Sequence, residues 1–313
     1  TLVYNQKSKR DVIIVQCGSH GKLLGQLDIK VAGGQVVAFD QTLFPIRSRE
    51  ITPDPEIASL IEKFREPYKE ELERVIGKTN TIIYRQATWQ SPADNLVSDA
   101  LRARTAQDIA ITQPSRYGAS ILPGPITVED VYNLVPVESP VYQMKFNGRE
   151  LRSMFEAAID NILDDDAFER VGGNMWRYSG VELAVDLSNS YPNRIQKIQI
   201  EGEPVKEDKL YSLAEFNMFF RNSQSAVNVE KTNKIGPHEV IAYIEEQKEI
   251  APILDHRLTN QHGHIMGDHT HLEEVWEETG RNEIDFDRSR FYQYRSAVDK
   301  DGRLSVVSNW HRQ

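Results

Sequence analysis

"NLVSDALRARTAQDIAITQPSRYGASILPGPITVEDVYNLVP", Asn95–Pro136, is the stretch whose pattern decides the fold. It follows Ser91-Pro92, a pairing of N-cap and first-turn residues, so "SPADNLVSDALRART" reads as an amphipathic helix. "DIAITQP" reads as a strand, and a polar, glycine-containing loop follows through Gln113–Ser120 to a Pro-Gly pair. Thr127 then caps a short helix, "TVEDVYNLVP". Helix, strand, loop and helix in so short a span predict an α-and-β domain whose strands end in irregular loops.

The same texture continues outward. "TIIYRQATW" carries a strand signal before the first helix. "SPVYQMKFNG" is a strand that turns at Asn147-Gly148 into the helix "RELRSMFEAAIDNIL". Strands over Val181–Leu187, Ile195–Glu201 and Lys209–Glu215 follow, and "PHEVIAYIEEQ" gives a further helix. Residues 79–254 therefore predict one mixed α+β domain. Ahead of it, "TPDPEIASLIEKFREPYKEELERVIGK" places Pro53 and Pro55 where helices start, with Ile57, Leu60, Ile61 and Phe64 at helical spacing. Pro67 kinks or splits this helix, and Leu72, Val75 and Ile76 resume the stripe up to Gly77, which makes residues 51–78 a rigid connector.

The first fifty residues read as strands Val12–Cys17, Leu23–Val31 and Gln35–Leu43, with Gly33-Gly34 as a hairpin turn. Leu27, Ile29 and Val31 share one face, Asp28 and Lys30 the other. A hairpin needs a sheet, and no partner strand is legible beside this one. Residues 255–313 form a histidine-rich segment followed by a hairpin, "RFYQYRSAVDKDGRLSVVSNW", with Asp301-Gly302 at its turn. No internal repeat is present.

The 313 residues are 39% hydrophobic and 27% charged, as in ordinary globular proteins. A net charge of -10 disfavours nucleic acid as a partner, because phosphates attract basic surfaces. No apolar run approaches the ~20 residues of a membrane span, and no secretory leader is visible at Thr1. Cys17 is the one cysteine, so an internal disulfide and a thiolate zinc cluster are excluded; at the end of an apolar strand it reads as a buried structural thiol.

Three strings, taken in order, carry a family resemblance: "GSHGKLLGQLDI", Asn95–Pro136, and "FNGRELRSMFEAAIDNI" followed by "VGGNMWRYSGVELAVDL". Their order and spacing resemble the back half of the 5′-nucleotidase superfamily, and within it the thiosulfohydrolases of the bacterial sulfur-oxidation (Sox) system. The resemblance implies a mixed-sheet 5′-nucleotidase C-terminal-type domain over residues 79–254, preceded by terminal strands of a metallophosphatase sheet in residues 1–50 and the linker helix. The family's metal motifs (Asp-x-His, Gly-Asp-x-x-Asp, Gly-Asn-His-Glu/Asp) are absent from the sequence. A dinuclear centre of manganese or zinc is therefore expected on a metallophosphatase-domain chain or N-terminal fragment that partners this one. On this reading the leading hairpin comes first because the rest of its sheet lies elsewhere. The resemblance also implies a periplasmic or secreted location.

"QPSRYGAS" holds the first candidate site. Arg116 offers a forked, permanent cation for a phosphate, sulfate or thiosulfonate oxyanion, although a loop arginine also reads as a solvated surface residue. The family's substrate-binding arginine occupies the matching loop, with Tyr117 and Gly118 shaping the same pocket. In "VGGNMWRYSG", Gly172-Gly173 and Asn174 read either as a second substrate loop or as a structural turn. In "AEFNMFFRNS" the nucleotidases' glycine-rich signature is missing; Phe216, Phe219 and Phe220 read as ligand-stacking rings or as core. His20 resembles a metal ligand but does not align with the family's histidine pair. His262, His264, His269 and His271 form two His-x-His pairs that suit zinc or copper, or else an exposed polar loop. The expected function is the substrate-recognition part, subunit or cleavage product, of a two-metal hydrolase acting on a small anionic or carrier-bound sulfur or phosphate ester. The rival expectation is a non-catalytic binding or assembly subunit.

Overall fold

A computed structural model describes residues 2–5, 10–17, 21, 23–47, 50–85, 89–114, 120–164, 166, 168–171, 175–218, 220–255, 257–261, 293–298 and 304–308. The chain divides into two compact units, residues 1–66 with 283–313 and residues 67–282.

In the first unit β1 (Leu2–Asn5) and β2 (Arg10–Ile13) form an antiparallel pair. The hairpin of β3 (Leu23–Ala32) and β4 (Gln35–Pro45) turns at Gly33 and Gly34, whose φ values of 56° and 72° are why glycine stands at both. Its sheet is not supplied wholly from elsewhere, which corrects that expectation: β4 pairs antiparallel with Gln293–Val298, which pairs in turn with Leu304–Ser308. The terminal hairpin thus closes the sheet that the leading one opens, and its Asp301-Gly302 turn lies outside the described residues.

Leu27, Ile29 and Val31 share a face of the regular strand β3, but that face is not buried as a whole. Leu27 is half-buried, but Ile29 and Val31 are exposed, and burial on this sheet falls instead on Phe39 and Gln41 of β4. Cys17 is half-buried rather than enclosed, with its Sγ 2.0 Å from the place a Cβ on Gly25 would take. Asp54 caps α1 (Pro55–Arg65) by accepting from the backbone N–H groups of Glu56 and Ile57. Ile57, Leu60, Ile61 and Phe64 keep their helical spacing, yet all are exposed.

The second unit runs α2 (Lys69–Leu72), β5 (Val75–Thr79), α3 (Pro92–Thr105), β6 (Ile109–Thr112), β7 (Gly124–Thr127), α4 (Val128–Leu134), β8 (Pro140–Asn147), α5 (Gly148–Leu163), β9 (Arg177–Ser179), β10 (Val181–Val185), β11 (Ile195–Ile200), β12 (Glu203–Pro204), β13 (Leu210–Phe216), β14 (Val227–Ile235), α6 (Gly236–Gln247), β15 (Glu249–Ile250) and β16 (Leu258–Asn260). The central sheet has the order β14-β8-β13-β6-β9, with β13 and β6 parallel and the other pairs antiparallel. A second sheet runs β12-β11-β10-β16, and a small one runs β15-β5-β7. This is the mixed α+β architecture the sequence predicts.

Strand alternation sends residues to two cores. Ile109 and Ile111 of β6 join Met144, Phe146, Leu213 and the α5 residues Leu151, Phe155 and Ile159. Ala110 between them faces the other way, among Leu96, Val97 and Leu101 of α3, Val131 and Leu134 of α4, and Val240 and Ile244 of α6. The small Ala110 and Ala214 on this face let three helices approach the sheet. Fully buried side chains such as Phe155 contribute most here, about 3–5 kcal/mol each by truncation.

Two elements differ from expectation. The helical stripe stops at Leu72, and Val75–Thr79 is a strand, pairing antiparallel with β7 and parallel with β15. Gly77 permits this, since a Cβ there would lie 2.7 Å from Ile244 Cγ2 and 3.0 Å from the Lys248 carbonyl oxygen. Of "TIIYRQATW", the described residues Thr81–Arg85 form no strand: Ile83 makes one antiparallel bridge to Ile121, and Ile83 and Tyr84 are buried.

Candidate functional site

The parallel strands β6 and β13 end side by side, with Phe216 opposite Thr112 and Thr112 opposite Arg177 of the short strand β9. Two loops leave from this edge, one through Gln113 after β6 and one through Asn217 after β13. Strand ends of this kind hold sites because the departing loops are free to present groups to a ligand. A crevice enclosing about 20 Å³ lies there, lined by Arg85, Asp94, Thr112, Gln113, Phe216 and Asn217, with Val135–Val137 along the far wall.

Beneath the edge sits a buried ionic cluster. Ser91 caps α3 by accepting from the Asp94 backbone N–H at 3.2 Å, and its hydroxyl donates to Asp94 Oδ2 at 2.6 Å. This fixes the Asp94 carboxylate between two guanidiniums, with Arg177 Nε 3.0 Å from Oδ2 and Arg85 Nε 3.3 Å from Oδ1. Asp94 is 1% exposed, Arg177 3% and Arg85 9%. Burial lowers the pKa of Arg85 and of Arg177, against the pull of Asp94, and in Arg177 the neighbouring Arg85 lowers it further. Two cations thus share one carboxylate behind the loop that departs after Thr112.

A second buried carboxylate orders the other loop. Glu215 is fully buried and accepts from the Phe220 backbone N–H at 2.7 Å and from Arg221 Nη1 at 2.8 Å. The Arg221 guanidinium lies 4.5 Å from the centre of the Tyr142 ring. Asn217, where the loop begins, takes the left-handed conformation at φ 55°. Arg257 ties the sheet edge to α3, donating to the Tyr178 carbonyl at 2.7 Å and to Asp99 at 3.0 Å.

Of the residues singled out from the sequence, Phe216 stands at this edge. It is 5% exposed, and its ring lies where a Cβ on Gly236 would come within 2.1 Å of Cε2. Phe220 packs edge-to-face on Trp176, with ring centres 4.6 Å apart. Arg116, Tyr117, Gly118, Asn174, Phe219, His20, His262, His264, His269 and His271 lie outside the described residues. The described neighbours Gln113 and Ser120 place the two ends of the Arg116 loop, at the end of β6 and just before the Ile83–Ile121 bridge. Sequence reading missed Arg85, Asp94, Arg177 and Glu215. Asp94 carried a signal, the S-x-x-D spacing of a helix cap, and Arg177 stands between Trp176 and Tyr178, an apolar setting that argues for burial. Among the described residues no group of three or more His, Cys, Asp or Glu side chains is placed to hold a metal ion, and no helix is long and apolar enough to cross a membrane.

A five-stranded mixed sheet with a parallel pair ending in two loops defines an α+β domain. Residues 75–225 match the family model described as the 5′-nucleotidase, C-terminal domain. Among its relatives, an apyrase of Anopheles gambiae is 27% identical over 269 residues, 80% of this chain and 46% of the apyrase. In fold, the chain resembles a 5′-nucleotidase precursor from Thermus thermophilus, with a TM-score of 0.71, 20% identity and coverage of 84% of this chain and 54% of that one. It also resembles the sulfate thiohydrolase SoxB of Thermus thermophilus, with a TM-score of 0.70, 18% identity and coverage of 78% and 45%. The chain spans about half or less of the length of the curated relatives it matches.

Proposed function

We propose that the second unit is the substrate-recognition part of a two-metal hydrolase of the 5′-nucleotidase/thiosulfohydrolase type, acting on a small anionic or carrier-bound sulfur or phosphate ester. The observation that carries this reading is the pair of buried guanidiniums, Arg85 and Arg177, set on either side of Asp94 at the joint ends of β6 and β13, the strand end from which the Arg116 loop departs. A cationic floor raises the local potential for an anion, and a forked guanidinium on the loop above it supplies directional donors. Arg116 orients the oxyanion, Gly118 lets the backbone come close, Tyr117 walls the pocket, and Asn174 hydrogen-bonds the substrate from the segment ahead of β9. Phe216 holds the floor of the site through its packing on Gly236.

The described donors of this chain do not fit a dinuclear metal centre, so no metal-dependent step is assigned to them. Manganese or zinc ions that activate water belong on a metallophosphatase part outside these residues, and what this chain contributes is grip and orientation. The absence of the glycine-rich nucleotidase signature from Ala214–Ser223 favours a sulfur substrate over a nucleotide. A periplasmic or secreted location follows from the same kinship.

The test is Arg116→Ala in the complete hydrolase. Loss of a charge-assisted contact of about 1.5–3 kcal/mol lowers kcat/KM on the ester substrate by roughly 10- to 150-fold without changing the melting temperature. Unchanged kinetics remove the assignment.

A further inference from the structure

The helix α1 carries an apolar face that nothing in the chain covers. Ile57, Leu60, Ile61 and Phe64 recur at the spacing that sets side chains on one side of a helix, yet each is between 48% and 70% exposed and no residue of α1 is buried. The Asp54 cap and Pro55 in the first turn favour the helix locally. Eleven residues are nonetheless too few to hold a helix firmly in water without a packed face. A contiguous exposed apolar stripe of this kind marks a contact made with another molecule. Charge is sorted along the same helix by end, with Glu56 in its first turn and Lys63 and Arg65 in its last. Glu56 and Lys63 are seven residues apart, about two turns, and so stand on the same flank of the stripe. Glu62 falls on the side away from it.

We propose that the occupant is a second copy of this chain, whose α1 lies antiparallel to the first across a twofold axis, stripe on stripe. The charge pattern selects this partner and this direction. Antiparallel packing sets Glu56 of each copy beside Lys63 of the other, twice over by symmetry, and brings each acidic first turn to the basic last turn of its neighbour. Parallel packing sets Glu56 against Glu56 and Lys63 against Lys63, which repels at both ends. The two helix dipoles also oppose one another when the helices run antiparallel. Burial of the four apolar side chains from each copy supplies the affinity, and the flanking charges fix the register. So few side chains make a small interface, and the dimer is a concentration-dependent one with a Kd on the order of micromolar. The proposal stands whatever ester the other unit recognises.

Sedimentation equilibrium of the 313-residue chain over a concentration series tests it. The average mass is expected to climb from that of one chain toward twice that value. Phe64→Glu, at a position whose ring is exposed in the single chain, is expected to hold the mass at that of one chain. Glu56→Lys and Lys63→Glu, each alone, turn an attractive pair into a repulsive one twice per dimer, and each is expected to raise the dissociation constant about tenfold. An equimolar mixture of those two variants is expected to associate as tightly as the parent chain, because opposite charges then face each other again. The mass of one chain at every concentration, association that survives Phe64→Glu, or a mixture no tighter than its components overturns the proposal. Should Phe64→Glu not fold, the charge-reversed pair and its mixture decide the matter alone.

Discussion

Asp94→Asn tests the ionic cluster most sharply. The substitution keeps the size of the side chain and an oxygen for Ser91, but takes away the negative charge that Arg85 and Arg177 share at 3.3 and 3.0 Å. All three residues are at least nine-tenths buried, so bulk water does little to screen the change. Removing one partner of a buried ion pair destabilises proteins by about 3–5 kcal/mol, because the remaining charge stays desolvated. In a unit of this size each kcal/mol moves the midpoint by roughly 2–4 °C. The expected fall in melting temperature is therefore about 6–20 °C, read by circular dichroism or calorimetry. The double variant Asp94→Asn/Arg85→Met is expected to lose less than the single one, since it removes one stranded charge along with its partner. A loss below about 1 kcal/mol for Asp94→Asn, or a double variant worse than both singles together, refutes the reasoning.

Three further outcomes follow from the same geometry. Burial raises the pKa of the Tyr178 hydroxyl above its ordinary 10.0, so the folded chain keeps a proton that the unfolded chain releases. The stability tied to that proton is fully present below about pH 10 and is lost as pH climbs beyond it. Tyr178→Phe should flatten the alkaline decline by about 1.4 kcal/mol per pH unit in urea titrations, and an unaltered slope counts against it. Gly180→Ala sets a Cβ 2.1 Å from the Asp108 carbonyl oxygen at φ 85°, and an unfolding free energy from urea titration lowered by more than about 2 kcal/mol is expected; a neutral result contradicts the packing. Glu215→Gln weakens the charge-assisted contact to Arg221, at about 1.5–3 kcal/mol, and should speed proteolysis at the turn after Phe216; unchanged cleavage speaks against the tether.

Most of the second unit was legible because its helices announce themselves. Ser91, Thr127 and Asn147 each cap the helix expected of them, with Thr127 and Asp130 forming a reciprocal capping box. The misread elements share one cause, which is that apolar spacing does not reveal the hydrogen-bond partner. Val75 and Ile76 continue the spacing of Leu72, yet Gly77 and its neighbours β7 and β15 draw them into a sheet. Ile83 is buried through a single bridge where an apolar run suggests a strand. In β9, three residues are too few for any period to show. The leading hairpin was read correctly, but its partner strand lies some 250 residues away, beyond the reach of local pattern. The ionic cluster was hidden for the same reason: positions 85, 94 and 177 meet only through α3 and the central sheet, and an isolated arginine reads as a surface residue.

The central claim is a division of labour, with anion recognition in this chain and water activation by metals held elsewhere. Elemental analysis of the purified 313-residue chain after incubation with manganese or zinc, with ester hydrolysis assayed on the same sample, addresses it most directly. The account predicts no turnover from this chain alone, no paired equivalents of bound metal, and hydrolysis restored when a metallophosphatase part is supplied. Two equivalents of tightly bound metal with turnover from these 313 residues by themselves would contradict it.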